Sequence, residues 1–227
     1  MSLADKLVSS FLAFELDIDI QSPVHAKRTK ALKEFEKLGF PTKKDEAWKY
    51  TSLKSIIKED FTIFSKKKNV LDFKNVKNYF LDNTETYKIV FVDGFFDPFL
   101  SQTSHDGVDI CILSAALTKP VYSKIISKYF DTSINTNDSL SLGNTAFAKE
   151  GVYVHIPKNK ILDKPIEVLH FATGNEAALM LQPRNLIVVE ENAQVEIIET
   201  HQSLTENPIF TNSVTEIFVG QNAHLDY

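Results

Sequence analysis

The sequence predicts an α+β to mainly β fold, in which an N-terminal helical and mixed α/β region precedes the start of a parallel β-helix, a single-stranded β-solenoid. Three observations lead to this prediction. Two segments near the N-terminus have apolar residues at helical spacing. Short apolar strands separated by turn residues follow one another after Gly143, and a five-residue corner motif occurs twice among them.

The chain begins with two predicted helices, over residues 3–14 and 26–38. In both, apolar residues recur every three or four positions, so that each helix has one apolar face. The second helix is followed by Gly39 and Pro41, which are the residue types that commonly end a helix.

The region up to residue 135 is predicted to be mixed α/β. A β-rich run is followed by Asp93-Gly94, a strong turn signal. The predicted elements are strands over 87–91 and 108–113, with short helical pieces over 114–117 and 121–129. Residues 131–141 are polar and favour a boundary. We therefore predict two domains, 1–135 and 136–227, the second being the truncated β-helix.

The second region is predicted to consist of short strands, over 152–156, 165–171, 186–189, 195–198 and 214–219. The pattern [EQ]-N-A-x-[VL] begins at Glu191 and again at Gln221, 30 residues apart. Asn tolerates the left-handed backbone of a corner. Strand, corner and strand recurring at this period are typical of a solenoid coil. An antiparallel β-sandwich has similar strand spacing and stays open as an alternative.

The last residues, 223–227, form a predicted strand with no capping element after it. A solenoid needs a cap over its last apolar layer. We therefore expect an N-terminal portion of a longer protein, or an end that pairs with another chain, with self-association through the exposed edge.

Composition excludes several functional classes. The net charge of −5 disfavours non-specific binding of nucleic acid. No apolar stretch approaches the ~18–20 residues of a membrane span, and the N-terminus lacks the apolar core of a signal peptide. A cytoplasmic location is expected, and the single cysteine agrees with it.

Candidate ligands are few. Cys111 lies in an apolar strand context and is predicted to be a buried, inert thiol, and one cysteine cannot hold an iron–sulfur cluster alone. His155, His170, His201 and His224 lie in the strand-rich part. They form either a polar ladder on successive coils or four separate, satisfied or surface histidines. His201 is the first to test, because acidic neighbours could raise its pKa.

No motif of an enzyme is present. The sequence lacks a phosphate-binding G-x-x-x-x-G-K-[ST] loop, a G-x-G-x-x-G run and a G-x-S-x-G run. The adjacent pair Glu190-Glu191 would point to opposite faces of a strand. We predict a non-enzymatic chain with no catalytic, cofactor-binding or metal-binding residues and no bound cofactor.

Residues 39–53 carry a resemblance to a known family. Their sequence, GFPTKKDEAWKYTSL, resembles the G-[FL]-P-x-x-K-x-E-x-W-K-Y-T-x-L run of the SufB/SufD family of the SUF iron–sulfur cluster assembly system. Trp48, Tyr50 and Leu53 are predicted to anchor this segment. Four further matches follow in the family's order: VFVDGF at 90–95, LGNTAF at 142–147, GVYVHIP at 151–157 and PRN at 183–185. The Trp-Lys-Tyr segment favours the SufD side of the family.

The resemblance implies a fold and a function. Members have an N-terminal helical region, a right-handed parallel β-helix and a C-terminal helical domain. They are non-catalytic scaffold or accessory subunits of the SufBCD complex, in which SufD pairs with SufB and both bind the ATPase SufC through their C-terminal domains. The iron–sulfur cluster belongs to the full assembly. The family's interface residues and SufC-binding helices lie beyond Tyr227, so no functional residue is carried over, and residues 1–227 should not bind SufC.

An alternative from another class is a secreted-type or cytoplasmic β-helical protein that is carbohydrate-active or purely structural. The carbohydrate-active form would need an exposed carboxylate pair or an aromatic platform along one face. Aromatic residues are few after Gly151, and this favours the assembly hypothesis.

Overall fold

The computed structural model describes residues 2–18, 20–22, 24–65, 71–103, 107–135 and 137–227. In this part, three α-helices are followed by three strands and then by three further α-helices, and strands alone follow from residue 152. The α-helices are α1 (Leu3–Glu15), α2 (His25–Leu38), α3 (Phe73–Val76), α4 (Leu113–Thr118), α5 (Pro120–Tyr129) and α6 (Ser139–Phe147). The strands are β1 (Tyr87–Val92), β2 (Phe95–Phe96), β3 (Asp109–Ile112), β4 (Val152–Ile156), β5 (Ile166–Ala172), β6 (Leu179–Leu181), β7 (Arg184–Val189), β8 (Gln194–Ser203), β9 (Ile209–Thr211), β10 (Val214–Val219) and β11 (His224–Asp226).

Both predicted N-terminal helices are confirmed. Helix α1 begins at a capping box, in which the Ser2 hydroxyl accepts from the Asp5 amide and the Asp5 carboxylate accepts from the Ser2 amide. Helix α2 ends at Gly39, whose φ of 66° lies in the left-handed region that glycine favours. The apolar faces of both helices pack together with α6 in one cluster.

The strands form three sheets. One has the order β11-β8-β5-β1-β2, the second has the order β10-β7-β4-β3, and the third pairs β6 with β9. Parallel ladders join β4 to β7, β7 to β10, β5 to β8, β8 to β11, and β6 to β9. One apolar cluster of described residues has members on both larger sheets and fills the space between them.

The predicted fold class is corrected by these sheets. Both larger sheets are mixed, because β2 runs antiparallel to β1 and β3 runs antiparallel to β4. Strands β1 and β3 precede residue 135 but complete the same sheets as β5 and β4. The fold is therefore α+β with mixed sheets and six described helices, and a right-handed parallel β-helix is wrong as its class. The division at residue 135 stays a prediction.

The corner motif has a confirmed structural meaning. Its two copies lie side by side, because Gln194 pairs with His224 and Val195 pairs with Leu225 in the β8–β11 ladder. Asn192 and Asn222 have φ angles of 58° and 55°, as expected for left-handed corners. The motif therefore marks equivalent turns in successive parallel strands.

The segment at 39–53 is anchored by fewer side chains than predicted. Leu53 is buried and Trp48 is half-buried, but Tyr50 is 90% exposed, so its predicted role as an anchor is wrong. Glu46–Trp48 form one 3₁₀ turn. Within the described part of the chain, none of the helices has the length and apolarity needed to cross a membrane.

Candidate functional site

The candidate site lies where β5 and β8 pair in parallel. Successive side chains of a strand alternate between its faces, so Val168 and His170 share a face of β5. Their register partners on β8 are Glu199 and His201. Val168 belongs to the apolar cluster between the two larger sheets. The polar group His170–Glu199–His201 therefore continues the inward face of this sheet beyond the apolar cluster.

Three rings are stacked across neighbouring strands at this point. The ring of His170 lies 4.9 Å from that of Phe91 on β1 and 4.4 Å from that of His201, with interplanar angles of 9° and 4°. His170 is buried between them, whereas the side chain of His201 is 37% exposed. One histidine is thus held in the interior and the other faces the solvent.

Glu199 is the centre of the site. Its Oε1 lies 3.0 Å from Nε2 of His170 and 3.2 Å from Nε2 of His201. The Asn185 side-chain amide donates to both carboxylate oxygens, at 3.2 and 3.1 Å. The Tyr227 hydroxyl also donates to this carboxylate, in a short contact. The carboxylate is therefore oriented by a side chain from β7 and one that follows β11.

The charges follow from these contacts. Burial by itself raises the pKa of Glu199, but its contacts with His170, His201 and Tyr227 outweigh burial and hold the pKa well below its usual range. Burial lowers the pKa of His170, and Glu199 offsets this only in part. Burial and the bond to Glu199 raise the pKa of Tyr227 to about 12. The site thus contains an ionised carboxylate and a neutral buried imidazole.

The site borders a cavity of about 250 Å³. His170 and Phe91 form part of its wall, together with Met180 and Gln182 from the segment around β6. Lys149 also lies on the wall and contributes a positive charge. The cavity is thus lined by His170, whereas His201 is not among its lining residues.

The structure separates the four histidines that the sequence singled out. His170 and His201 lie together on neighbouring strands with their rings stacked, as the polar ladder hypothesis predicts for this pair. His155 on β4 lies 3.2 Å from both Asp109 and Glu190. His224 on β11 is exposed. These two belong to other parts of the molecule.

Cys111 lies on β3 and is half-buried. Burial raises the pKa of its thiol to about 11, against a smaller effect of Lys119. The thiol is therefore protonated at neutral pH and is a poor nucleophile or metal ligand.

Glu199 is the site residue that sequence reasoning treated only as a neighbour. A signal for it was present, since Glu199 and His201 are two positions apart and share a face of any strand. Its other contact, with His170, joins residues 29 positions apart in the sequence and requires knowledge of the strand pairing.

Comparisons with known families cover almost the whole chain. A model described as the SufBD protein N-terminal region matches residues 5–168. A model described as the SUF system FeS cluster assembly, SufBD core domain, matches residues 170–227.

Curated relatives agree with these models. The chain is 30% identical to an iron-sulfur cluster assembly SufBD family protein of Synechocystis sp., over 99% of this chain and 54% of that protein. It is 25% identical to the iron-sulfur cluster assembly protein SufD of Escherichia coli, over 86% of this chain and 43% of that protein. The SufD protein of Bacillus subtilis is 29% identical over 47% of this chain and 24% of its own length.

The chain spans about half the length of the first two relatives. The resemblance carried by residues 39–53 and the later motifs is confirmed by the two matched models, which together extend from residue 5 to residue 227. The chain therefore belongs to the SufBD family.

Proposed function

We propose that this chain acts as a non-catalytic scaffold or accessory subunit in SUF iron–sulfur cluster assembly, in the cytoplasm. The observation that carries the proposal is the match of two successive SufBD models along residues 5–168 and 170–227. The family assignment favours this role over the alternative of a carbohydrate-active or purely structural protein.

The chemistry of the chain supports a scaffold role. Iron–sulfur clusters are held chiefly by several cysteine thiolates. This chain has one cysteine, and the raised pKa of Cys111 keeps it protonated. These features support our proposal that the cluster belongs to the whole assembly and not to this chain alone.

The proposed partners are SufB and the ATPase SufC. The relatives named SufD are assembly proteins of this system, and the resemblance implies pairing with SufB. We place the contact with SufC in the helical C-terminal domain that the resemblance implies, outside residues 1–227.

A genetic experiment tests the role. The gene is deleted from its chromosome, and the activity of an iron–sulfur enzyme such as aconitase is measured during iron limitation. We expect the activity to fall, and to return when the gene is restored. Unchanged activities in the deletion strain would contradict the proposed role.

A binding experiment tests the partners. The protein is tagged at its chromosomal locus and purified from the cell, and we expect SufB and SufC to be recovered with it. In a second arm, purified residues 1–227 are mixed with SufC alone, and no complex should form in size-exclusion chromatography. A stable complex in the second arm would overturn the proposed place of the SufC contact.

A further inference from the structure

We propose that His170, Glu199 and His201 bind one divalent transition-metal ion. One nitrogen of each imidazole and one carboxylate oxygen lie within 4.8 Å of one another. The closest pairs, from Glu199 Oε1 to the two Nε2 atoms, are 3.0 and 3.2 Å. Two donors bound to the same ion at roughly 2.0–2.2 Å lie about 3 Å apart. These two separations are therefore close to those around one ion, and the third, between the imidazole nitrogens, is within 4.8 Å.

A second observation, the buried Nε2 atom of His170, also points to a ligand at this position. His170 is 5% exposed, and its Nε2 has no hydrogen-bond partner although it faces the carboxylate at 3.0 Å. A buried polar atom of this kind costs free energy unless it gains a partner. An ion between Nε2 and Oε1 would bind both lone pairs and remove this cost.

The surroundings hold the carboxylate in place for this role. Asn185 and Tyr227 donate to Glu199 from other strands, as polar groups around metal ligands commonly do. Because these donors are neutral, the carboxylate keeps its negative charge for the ion. Phe91 packs on His170 and fixes the plane of that ring.

One movement is required for binding. An imidazole binds a metal in the plane of its ring, and the two rings are nearly parallel at 4°. One ring must therefore turn about χ2, a torsion with broad preferences in histidine. His201 is the ring that turns, because it is partly exposed whereas His170 is enclosed.

The donor set defines the class of ion. Imidazole nitrogens suit zinc, iron, cobalt and nickel, whereas calcium and magnesium prefer oxygen ligands. Three protein donors leave the remaining coordination positions to water. The inference rests on these three side chains and is independent of the proposed scaffold role.

The experiment is a titration of the purified 227-residue chain with Co²⁺, followed by its visible absorption, and a competition with Zn²⁺. We expect one Co²⁺ per chain, displaced by Zn²⁺. Glu199→Gln and His201→Asn should each weaken Co²⁺ binding at least about tenfold. His224→Asn is the matched control on the neighbouring strand and should bind like the wild type.

Thermal unfolding of each variant first establishes that it is folded. Because His201 is partly exposed, His201→Asn should leave the core intact. Histidine ¹⁵N resonances add a second measurement, and those of His170 and His201 should shift on addition of Zn²⁺ while those of His224 do not. The proposal is overturned if the wild type binds no stoichiometric Co²⁺, if Glu199→Gln and His201→Asn bind like the wild type, or if His155→Asn abolishes binding.

Discussion

Among single residues, Glu216 forms a buried ion pair with Arg184 and also accepts several hydrogen bonds from the backbone. Its carboxylate accepts from Nη2 of the fully buried Arg184 at 2.5 Å. It also accepts from the backbone amides of Asp131, Thr132 and Ser133, at 2.7, 3.0 and 3.2 Å. One side chain on β10 thus neutralises a buried cation and holds the turn after α5.

Replacing Glu216 should therefore be costly. Glu216→Gln leaves the charge of Arg184 buried without its closest counter-ion, and we expect a loss of about 3 kcal/mol in the free energy of unfolding at pH 7. Urea denaturation measures this. Glu196→Gln, at an exposed position of β8, is the control and should change stability by less than about 0.5 kcal/mol.

The same pair predicts a dependence on pH. Burial alone would raise the pKa of Glu216, but Arg184 and the backbone amides outweigh it and lower the pKa below 4.5. A lowered pKa in the folded state contributes stability that is complete above pH 4.5 and is lost as the pH falls below it. The stability difference between the wild type and Glu216→Gln should shrink below pH 4.5, and a constant difference would contradict this.

Gly151 provides a second prediction at this scale. Its φ is 148°, and an added Cβ would lie 2.0 Å from the carbonyl oxygen of Arg184. We expect Gly151→Ala to destabilise the protein by more than about 1 kcal/mol in chemical denaturation. Gly143→Ala is the matched control, because the new methyl would meet Phe35 at an ordinary 3.4 Å and alanine favours the helix. Equal effects of the two substitutions would contradict the prediction.

At the scale of elements, the Asn192 corner joins β7 to β8. Its φ of 58° is strained for most side chains, and its amide donates to the Asn159 side chain at 3.0 Å. Asn192→Ala loses both the hydrogen bond and the tolerance of this φ, whereas Asn192→Gly loses the hydrogen bond alone. We expect alanine to destabilise the protein by about 1 kcal/mol more than glycine does, as measured by thermal unfolding. A more stable alanine variant would be evidence against a strained corner.

Across the whole molecule, the protection of backbone amides against hydrogen exchange should fall from the central strands toward β11. Strands β5 and β7 are fully buried, and each pairs with a strand on both sides. Within the described residues, strand β11 pairs with β8 alone, and it is largely exposed. Amide hydrogen exchange should be at least about tenfold slower in β5 and β7 than in β11. Uniform exchange across these three strands would contradict this order.

Much of the element pattern could be predicted from the sequence. The spacing of apolar residues placed α1 and α2 correctly, and short apolar runs between turn residues placed β4, β5, β7, β8 and β10. Strands β6 and β9 were not predicted, because each has three residues, which are too few to show a periodic pattern. The exposure of Tyr50 was not predicted, because an aromatic residue type does not by itself show whether its side chain packs against the protein.

The sequence by itself determined the local elements, the two asparagine corners and the membership of the SufBD family, because periodicity, turn residues and ordered motifs lie within short stretches of chain. Only the tertiary structure decided that the larger sheets are mixed and that His170 lies against Glu199 and His201. Strand direction and cross-strand neighbours depend on the path of the chain between distant segments. That path is set by the packing of the whole core, and no local pattern records it.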